Sequence, residues 1–380
     1  MPTHARVPES GFDIVVIGAG VIGLAIAMTL SKAGHSLLIL ERAAGIGRGI
    51  TSRNSEVVHA GLYYPSGSLK AELCVKGRER LYAWCSEKRV DTRRLGKLIV
   101  ATRAREESVL DDLLVRGLEN GVVGLERIGE AEIARLEPQV TAKHALYSPE
   151  TGIVDGQGFC LSLLAAAEST GAVLSLERSV ESLDPRPFGW RVEVATPGQP
   201  IECVDAGIVV DAAGLDADRI AELAGLDVDA LGWRQFPCKG DYFTLAPRAQ
   251  IPLQRLIYPV PQQAGLGIHA TLDLAGRIRF GPDTEYVSQV DADALRVDPS
   301  KAEDFAKAVM RYLPSIRASD LDPDYAGIRP KLAGPGGAFR DFVVEEATVH
   351  GAPGFVATLG IESPGLTAAL AIADRVAAAI

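Results

Sequence analysis

The chain has 380 residues, 47% of them hydrophobic and 23% charged, with 39 Lys and Arg against 49 Asp and Glu for a net charge of −10. This length excludes a peptide hormone or a lone binding module and predicts two joined domains. The acidic balance excludes non-specific nucleic-acid binding, so an anionic ligand needs a local cationic pocket. The cysteines, Cys74, Cys85, Cys160, Cys203 and Cys238, form no C-x-x-C pair. That argues against a disulfide framework and a structural metal site, and predicts a reducing compartment, the cytoplasm.

In chain order, the polar residues before Phe12 lack the apolar core of a signal peptide and predict a disordered lead-in. Phe12–Ile17 reads as a strand, Gly18-Ala19-Gly20-Val21-Ile22-Gly23 as a turn, and the following LAIAMTLSKAGH as a helix. These elements also explain the uncharged stretch 14–31, which a membrane span would fit less well. Gly18 allows the tight turn, Gly20 lets a pyrophosphate approach the backbone, and Gly23 lets helix and strand pack closely; the helix N-terminus favours phosphate. The strand Ser36–Leu40 then ends in Glu41, placed to accept the hydrogen bonds of a ribose diol. This pattern predicts a dinucleotide, NAD or FAD. The long loop from Arg42 to Pro65 takes the place of another crossover helix, as wrapping an extended flavin requires, and so favours FAD.

Further along, 104–119, 129–136 and 301–313 predict helices, and 187–195, 254–260, 265–272 and 276–281 predict short hairpin strands. Residues 207–218 form a strand ending in Ala-Ala-Gly. Phe355–Leu359 reads as another strand, and residues 360–367 lead into an apolar helix ending near Val376, a stretch too interrupted by Glu362 and Pro364 to span a membrane.

The loop Asn54-Ser55, Val57-Val58-His59-Ala60-Gly61-Leu62-Tyr63-Tyr64 begins a set of further matches. They include Gly67–Ala71, Leu73-Cys74, Gly96–Val100, Thr151–Asp155, Gly240-Asp241-Tyr242 and Ile257–Pro261. On these residues the chain resembles the FAD-dependent oxidoreductases of the D-amino-acid oxidase/glycerol-3-phosphate dehydrogenase superfamily, most of all the L-2-hydroxyglutarate dehydrogenase/oxidase branch. It departs from that branch in carrying Arg53-Asn54-Ser55-Glu56 for His-Asn-Ser-Gly, and Lys239 for Arg before Gly240-Asp241-Tyr242.

The resemblance implies an α/β fold: a Rossmann-like FAD domain from 12–90, 150–235 and 326–380, and an α+β substrate domain on an antiparallel sheet from 91–149 and 236–325. It implies FAD held by Gly18, Gly20, Val21, Ile22, Gly23, Glu41 and Arg42, by Ser52, Arg53, Asn54 and Ser55 of the loop, and by Val180, Ala213, Gly214 and Arg329. Gly360, Pro364, Gly365, Leu366 and Thr367 would face the flavin N1/O2 edge. It also implies a small anionic substrate, hydride transfer to flavin N5, and oxygen, a quinone or a soluble carrier as electron acceptor. A quinone user would sit peripherally at the inner membrane.

Arg329, in Gly-Ile-Arg-Pro, matches the arginine that grips the substrate's carboxylate or phosphate, and its planar fork suits bidentate recognition. An alcohol needs a base, and imidazole is the side chain best poised for it. His59 either takes that role or packs on the flavin; His269 either meets the substrate or is a satisfied strand histidine. Tyr258 and Tyr242 offer hydroxyls. For a dicarboxylate, Arg53, Lys70, Lys239 and Lys331 are the candidate second cations. The leading expectation is oxidation of an L-2-hydroxyglutarate-like 2-hydroxy acid. The alternatives are an amine oxidase of the glycine or sarcosine oxidase type and a flavin-bearing protein without turnover.

Overall fold

The computed structural model describes residues 11–261 and 267–380. Residues 1–10 of the expected lead-in and the first two positions of the expected strand 265–272 lie outside the described residues. The chain divides into two units, residues 1–52, 156–236 and 330–380 in one, and 53–155 and 237–329 in the other.

In the first unit, Ile14–Ile17 is apolar at every position, which suits a strand covered on both faces. Phe12–Ile17 pairs in parallel with Leu37–Glu41 on one side and with Glu202–Asp211 on the other. Beyond Leu37–Glu41 comes Val173–Leu176, and beyond Glu202–Asp211 come the antiparallel Gly189–Ala195 and Ser179–Arg186. Phe355–Leu359 runs parallel to the end of Glu202–Asp211, with Val343–Glu346 antiparallel beside it. The helix Val21–Lys32 is buried on most sides because it packs against both Gly156–Glu168 and Gly365–Ala379.

The second unit is built on a mixed sheet. Its order is Glu285–Tyr286, Phe236–Leu245, Ile278–Gly281, His269–Leu272, Leu256–Pro259, Lys97–Ala101, His144–Ser148 and Glu126–Gly129. Leu321–Lys331 pairs with Phe236–Leu245 as well. Leu256–Pro259 runs parallel to Lys97–Ala101, and the pairs that flank it, with His269–Leu272 and between Lys97–Ala101 and His144–Ser148, are antiparallel. One face packs Leu98, Ile257, Ala270, Phe280 and Phe243 into a core with Phe305, Val309 and Leu313.

Residues 53–90, expected with the FAD domain, pack with the second unit. Val57, Ala60 and Leu62 belong to its core, and the Asn120 amide donates to Gly61 O and Tyr64 O, each at 2.9 Å. Residues 326–329 fall in this unit too. Three helices appear that the periodicity does not predict: Leu69–Lys88, Gly156–Glu168 and Ala217–Leu223. The expected 104–119 begins as a 3₁₀ turn at Ala104–Glu106, and the expected 301–313 is helical only over Ala302–Val309.

Candidate functional site

In the first unit the glycine turn has no room for side chains. A Cβ on Gly18 would lie 2.4 Å from Ala212 O, and one on Gly23 would lie 1.9 Å from Gly18 O. Gly20 caps the helix in an extended conformation without a side-chain cap, and the helical ladder starts at Leu24 N–H to Gly20 O, so the amides of Ile22 and Gly23 precede it. The Val21 amide donates to Thr51 Oγ1 at 3.1 Å, an interaction with no counterpart in the sequence motif. Glu41 closes the turn from the next strand: Oε2 accepts from Ala19 N–H and Oε1 from Ala43 N–H, both at 2.8 Å. Two bonds leave a carboxylate lone pairs for a diol.

Arg42 forms an ion pair with Asp216 at 2.7 Å, and Ser52 Oγ donates to Gly49 O. Val180 is buried on the strand Ser179–Arg186, its carbonyl accepting from Arg219 Nη1 at 3.4 Å. Ala213 N–H donates to Asp211 Oδ1 at 3.0 Å, and Gly214 takes a φ of +64°. The buried Gln235, which sequence reasoning missed, braces two turns: its Nε2 donates to Gly214 O at 3.0 Å and its Oε1 accepts from Gly360 N–H at 3.2 Å. Gly365 N–H turns back to Glu362 O, and the last helix begins its ladder at Ala368 N–H to Pro364 O, so Leu366 and Thr367 stand ahead of it. Lys331 is paired with Glu362 at 2.9 Å. Amides ahead of the helical ladder, on a turn packed too tightly for a Cβ at Gly18 or Gly23, fit the pyrophosphate of a dinucleotide.

In the second unit the sheet face opposite the core carries polar rings. Pairing of Ile257 with Ala270 and of His269 with Gly281 places Tyr258 beside His269, and their rings stack at 3.5 Å with 9° between planes. Tyr242 follows on the same face, where a Cβ on Gly281 would lie 2.9 Å from its ring. Tyr325 stacks on Tyr242 at 4.6 Å and donates to Asn54 O at 2.6 Å, while Ser55 hydrogen-bonds Tyr242. Arg53 donates to Ala326 O, and its own carbonyl sits where a Cβ on Gly327 would be, 2.0 Å away. Loop 53–55 is thus pinned to the strand that carries Arg329.

Arg329 is anchored along one edge. Nε donates to Cys238 O at 3.3 Å, and Nη2 to Lys239 O at 3.0 Å and Asp283 O at 2.8 Å. The fork expected to grip a carboxylate bidentately is therefore turned inward, and Nη1 is the nitrogen outside these bonds. Lys239 pairs with Asp241 at 3.2 Å and donates to Arg296 O at 2.6 Å. Lys301 bonds Asp241, Asp283 and Glu285 at 2.7, 2.9 and 2.6 Å, a carboxylate group compact enough to suggest a cation that this ammonium already supplies. Lys70 is buried in the first turn of Leu69–Lys88.

His59 lies on the loop that this long helix secures, with Cys74 Sγ donating to His59 O and Arg78 Nη1 to Ala60 O at 3.2 Å. Burial, assisted by the positive charge of Lys97, lowers the His59 pKa to about 3. Burial raises the hydroxyl pKa of Tyr258 and Tyr63 above the ordinary tyrosine value, and that of Tyr242 likewise, opposed there by Arg329 and Ser55. All three remain phenols. Lys97 itself is driven down to about 7 by burial. It heads an apolar strand, KLIVA, and a lysine in such a run was the available signal for it.

A family model for FAD dependent oxidoreductases matches residues 13–379. The chain belongs to this family. FAD is accordingly its cofactor. The flavoenzyme is 41% identical to the mitochondrial L-2-hydroxyglutarate dehydrogenase of Arabidopsis thaliana, over 96% of this chain and 82% of that protein. It is 32% identical to the Homo sapiens enzyme of the same name, over 97% and 88%. Among solved structures, the dithionite-reduced L-alpha-glycerophosphate oxidase of Mycoplasma pneumoniae with FAD bound superposes with a TM-score of 0.85 at 26% identity, covering 96% of this chain and 94% of that one.

Proposed function

We propose that this flavoenzyme oxidises a small 2-hydroxy acid of the L-2-hydroxyglutarate kind to the corresponding 2-oxo acid. The observation that carries the reading is the 41% identity, over 96% of the chain, to a plant L-2-hydroxyglutarate dehydrogenase. Bound FAD supplies the hydride acceptor at N5. Gly18, Gly20, Val21, Ile22, Gly23, Glu41, Arg42, Ser52, Val180, Ala213, Gly214 and the 360–367 turn are the residues we assign to holding it.

The substrate loses a hydride from C2 and a proton from its hydroxyl. Nη1 of Arg329 orients the substrate carboxylate through its remaining donors. A neutral imidazole, His59 or His269, takes the hydroxyl proton; the desolvation around His59 keeps it in the accepting form. Tyr242 and Tyr258, held as phenols, contribute O–H donors to the substrate oxygens.

The test is anaerobic flavin bleaching with L- and D-2-hydroxy acids, glycerol 3-phosphate and N-methyl amino acids. L-2-Hydroxyglutarate is expected to reduce the flavin fastest, and faster reduction by sarcosine would make the protein an amine oxidase instead. Five free cysteines support a reducing compartment, the cytoplasm. No helix among the described residues is long and apolar enough to cross a membrane. Reoxidation rates with oxygen, a quinone and a soluble carrier identify the acceptor.

A further inference from the structure

Lys97 is 1% exposed, yet among the described residues no carboxylate or hydrogen-bond acceptor meets its ammonium. Its contacts are two ring faces, Tyr63 at 4.7 Å and Tyr258 at 4.3 Å from the centroids. Ring faces return only part of the hydration that a buried ammonium gives up. The cations named from sequence differ: Lys239 and Lys331 are ion-paired, and Arg53 donates to a carbonyl.

The groups packed around Lys97 cannot neutralise it. From the loop come His59, its pKa lowered to about 3, and Tyr63; from the helix Leu69–Lys88 come Cys74, its thiol pushed up to about 12, and Arg78. From the neighbouring strand comes Tyr258, itself stacked on His269. At neutral pH His59, Tyr63, Cys74 and Tyr258 are uncharged, and Arg78 has the same sign as Lys97. The Tyr63 hydroxyl is buried with no hydrogen-bond partner among the described residues. An ammonium and a phenol left in this state complement an anion that the described residues do not supply.

Resting on the reading above, we propose that Lys97, with the Tyr63 hydroxyl as companion donor, is the subsite for the distal carboxylate of a dicarboxylic 2-hydroxy acid. It thereby selects dicarboxylates over monocarboxylates of similar length. Removing the ammonium removes most of that selection, and removing the hydroxyl removes part of it. Because no anion among the described residues faces the ammonium, the subsite also weakens the substrate-free protein.

The experiment compares wild-type holoenzyme with Lys97→Met, Lys97→Arg and Tyr63→Phe. Anaerobic flavin reduction is measured with L-2-hydroxyglutarate and L-2-hydroxybutyrate, and melting is followed without substrate. For Lys97→Met, the half-saturating concentration of L-2-hydroxyglutarate is expected to rise roughly 10- to 100-fold, that of L-2-hydroxybutyrate to change little, and the melting temperature to rise. Lys97→Arg should recover part of the dicarboxylate preference, and Tyr63→Phe should lose less of it than Lys97→Met.

An unchanged preference in Lys97→Met, or a lower melting temperature with both substrates impaired alike, would mark a structural lysine and overturn the proposal. Glutarate, which carries two carboxylates and no hydroxyl, separates this question from the proposed reaction. Its perturbation of the flavin spectrum should need at least tenfold more ligand in Lys97→Met even if no hydroxy acid is turned over, and equal titrations would overturn the subsite.

Discussion

Arg329 spends Nε and Nη2 on three backbone carbonyls, so its charge is held in place before any substrate binds. A lysine there has no planar edge to satisfy those carbonyls together, and Arg329→Lys is expected to lower kcat/KM for the hydroxy acid by roughly 10²-fold with flavin content retained. Steady-state kinetics on the flavin-replete variant check this. The pH profile follows from two neighbours. His59, lowered to about 3 by burial and Lys97, stays a neutral acceptor throughout the usual assay range, so kcat/KM should show no acidic limb near the ordinary histidine value. Lys97 loses its charge as pH rises through about 7, so kcat/KM for a dicarboxylate should fall across that range. A rise through pH 6.5 would rule out His59 as the imidazole that takes the hydroxyl proton. The same lysine sets a stability trend of definite sign. Its folded-state value lies below its unfolded one, so the unfolded chain binds the extra proton between pH 7 and 10.5, and its contribution to stability improves as pH rises through that window.

Between strand and helix, Gly23 is the tightest point of the dinucleotide turn, and Gly23→Ala is expected to abolish FAD retention, read as visible absorbance of the purified protein. Ser68 caps Leu69–Lys88 by accepting from Ala71 N–H at 3.2 Å, and Ser68→Ala should cost about 1 kcal/mol, seen as a lower denaturant midpoint. The glycine turn was legible from sequence because most of its constraints are local: a positive φ at Gly18, a sub-contact Cβ position at Gly23 against Gly18 O, an acid at the end of the next strand. The helix Leu69–Lys88 was not, because it buries Lys70 and Arg78 alongside Leu73, Cys74 and Leu81, which breaks the apolar stripe that periodicity detects. Arg329, His269, Tyr242 and Tyr258 were each readable as residue types, and their gathering on one sheet face or its adjoining strand was not. That gathering follows from register between strands distant in sequence. For the same reason Gln235, whose two partners lie 21 and 125 residues away, carried no local signal.

Taken whole, an acidic chain with a net charge of −10 has to attract an anionic cofactor and an anionic substrate through local positive fields, helix N-termini for one and a few fixed cations for the other. Since FAD binds the folded protein and not the unfolded chain, the melting temperature should rise with added FAD, by the equivalent of about 2.7 kcal/mol at a hundredfold excess over Kd, and calorimetry of apoprotein across an FAD series checks it. That unit is assembled from three separated stretches of chain. Gly18–Gly23 comes from the first, Gly214 and Gln235 from the second, and Gly360 with its following helix from the third. During synthesis the first βα turn therefore leaves the ribosome more than three hundred residues ahead of the strand and helix that complete its cradle. On the proposed assignment FAD loading is a late event, and a product released before Phe355 should accumulate colourless.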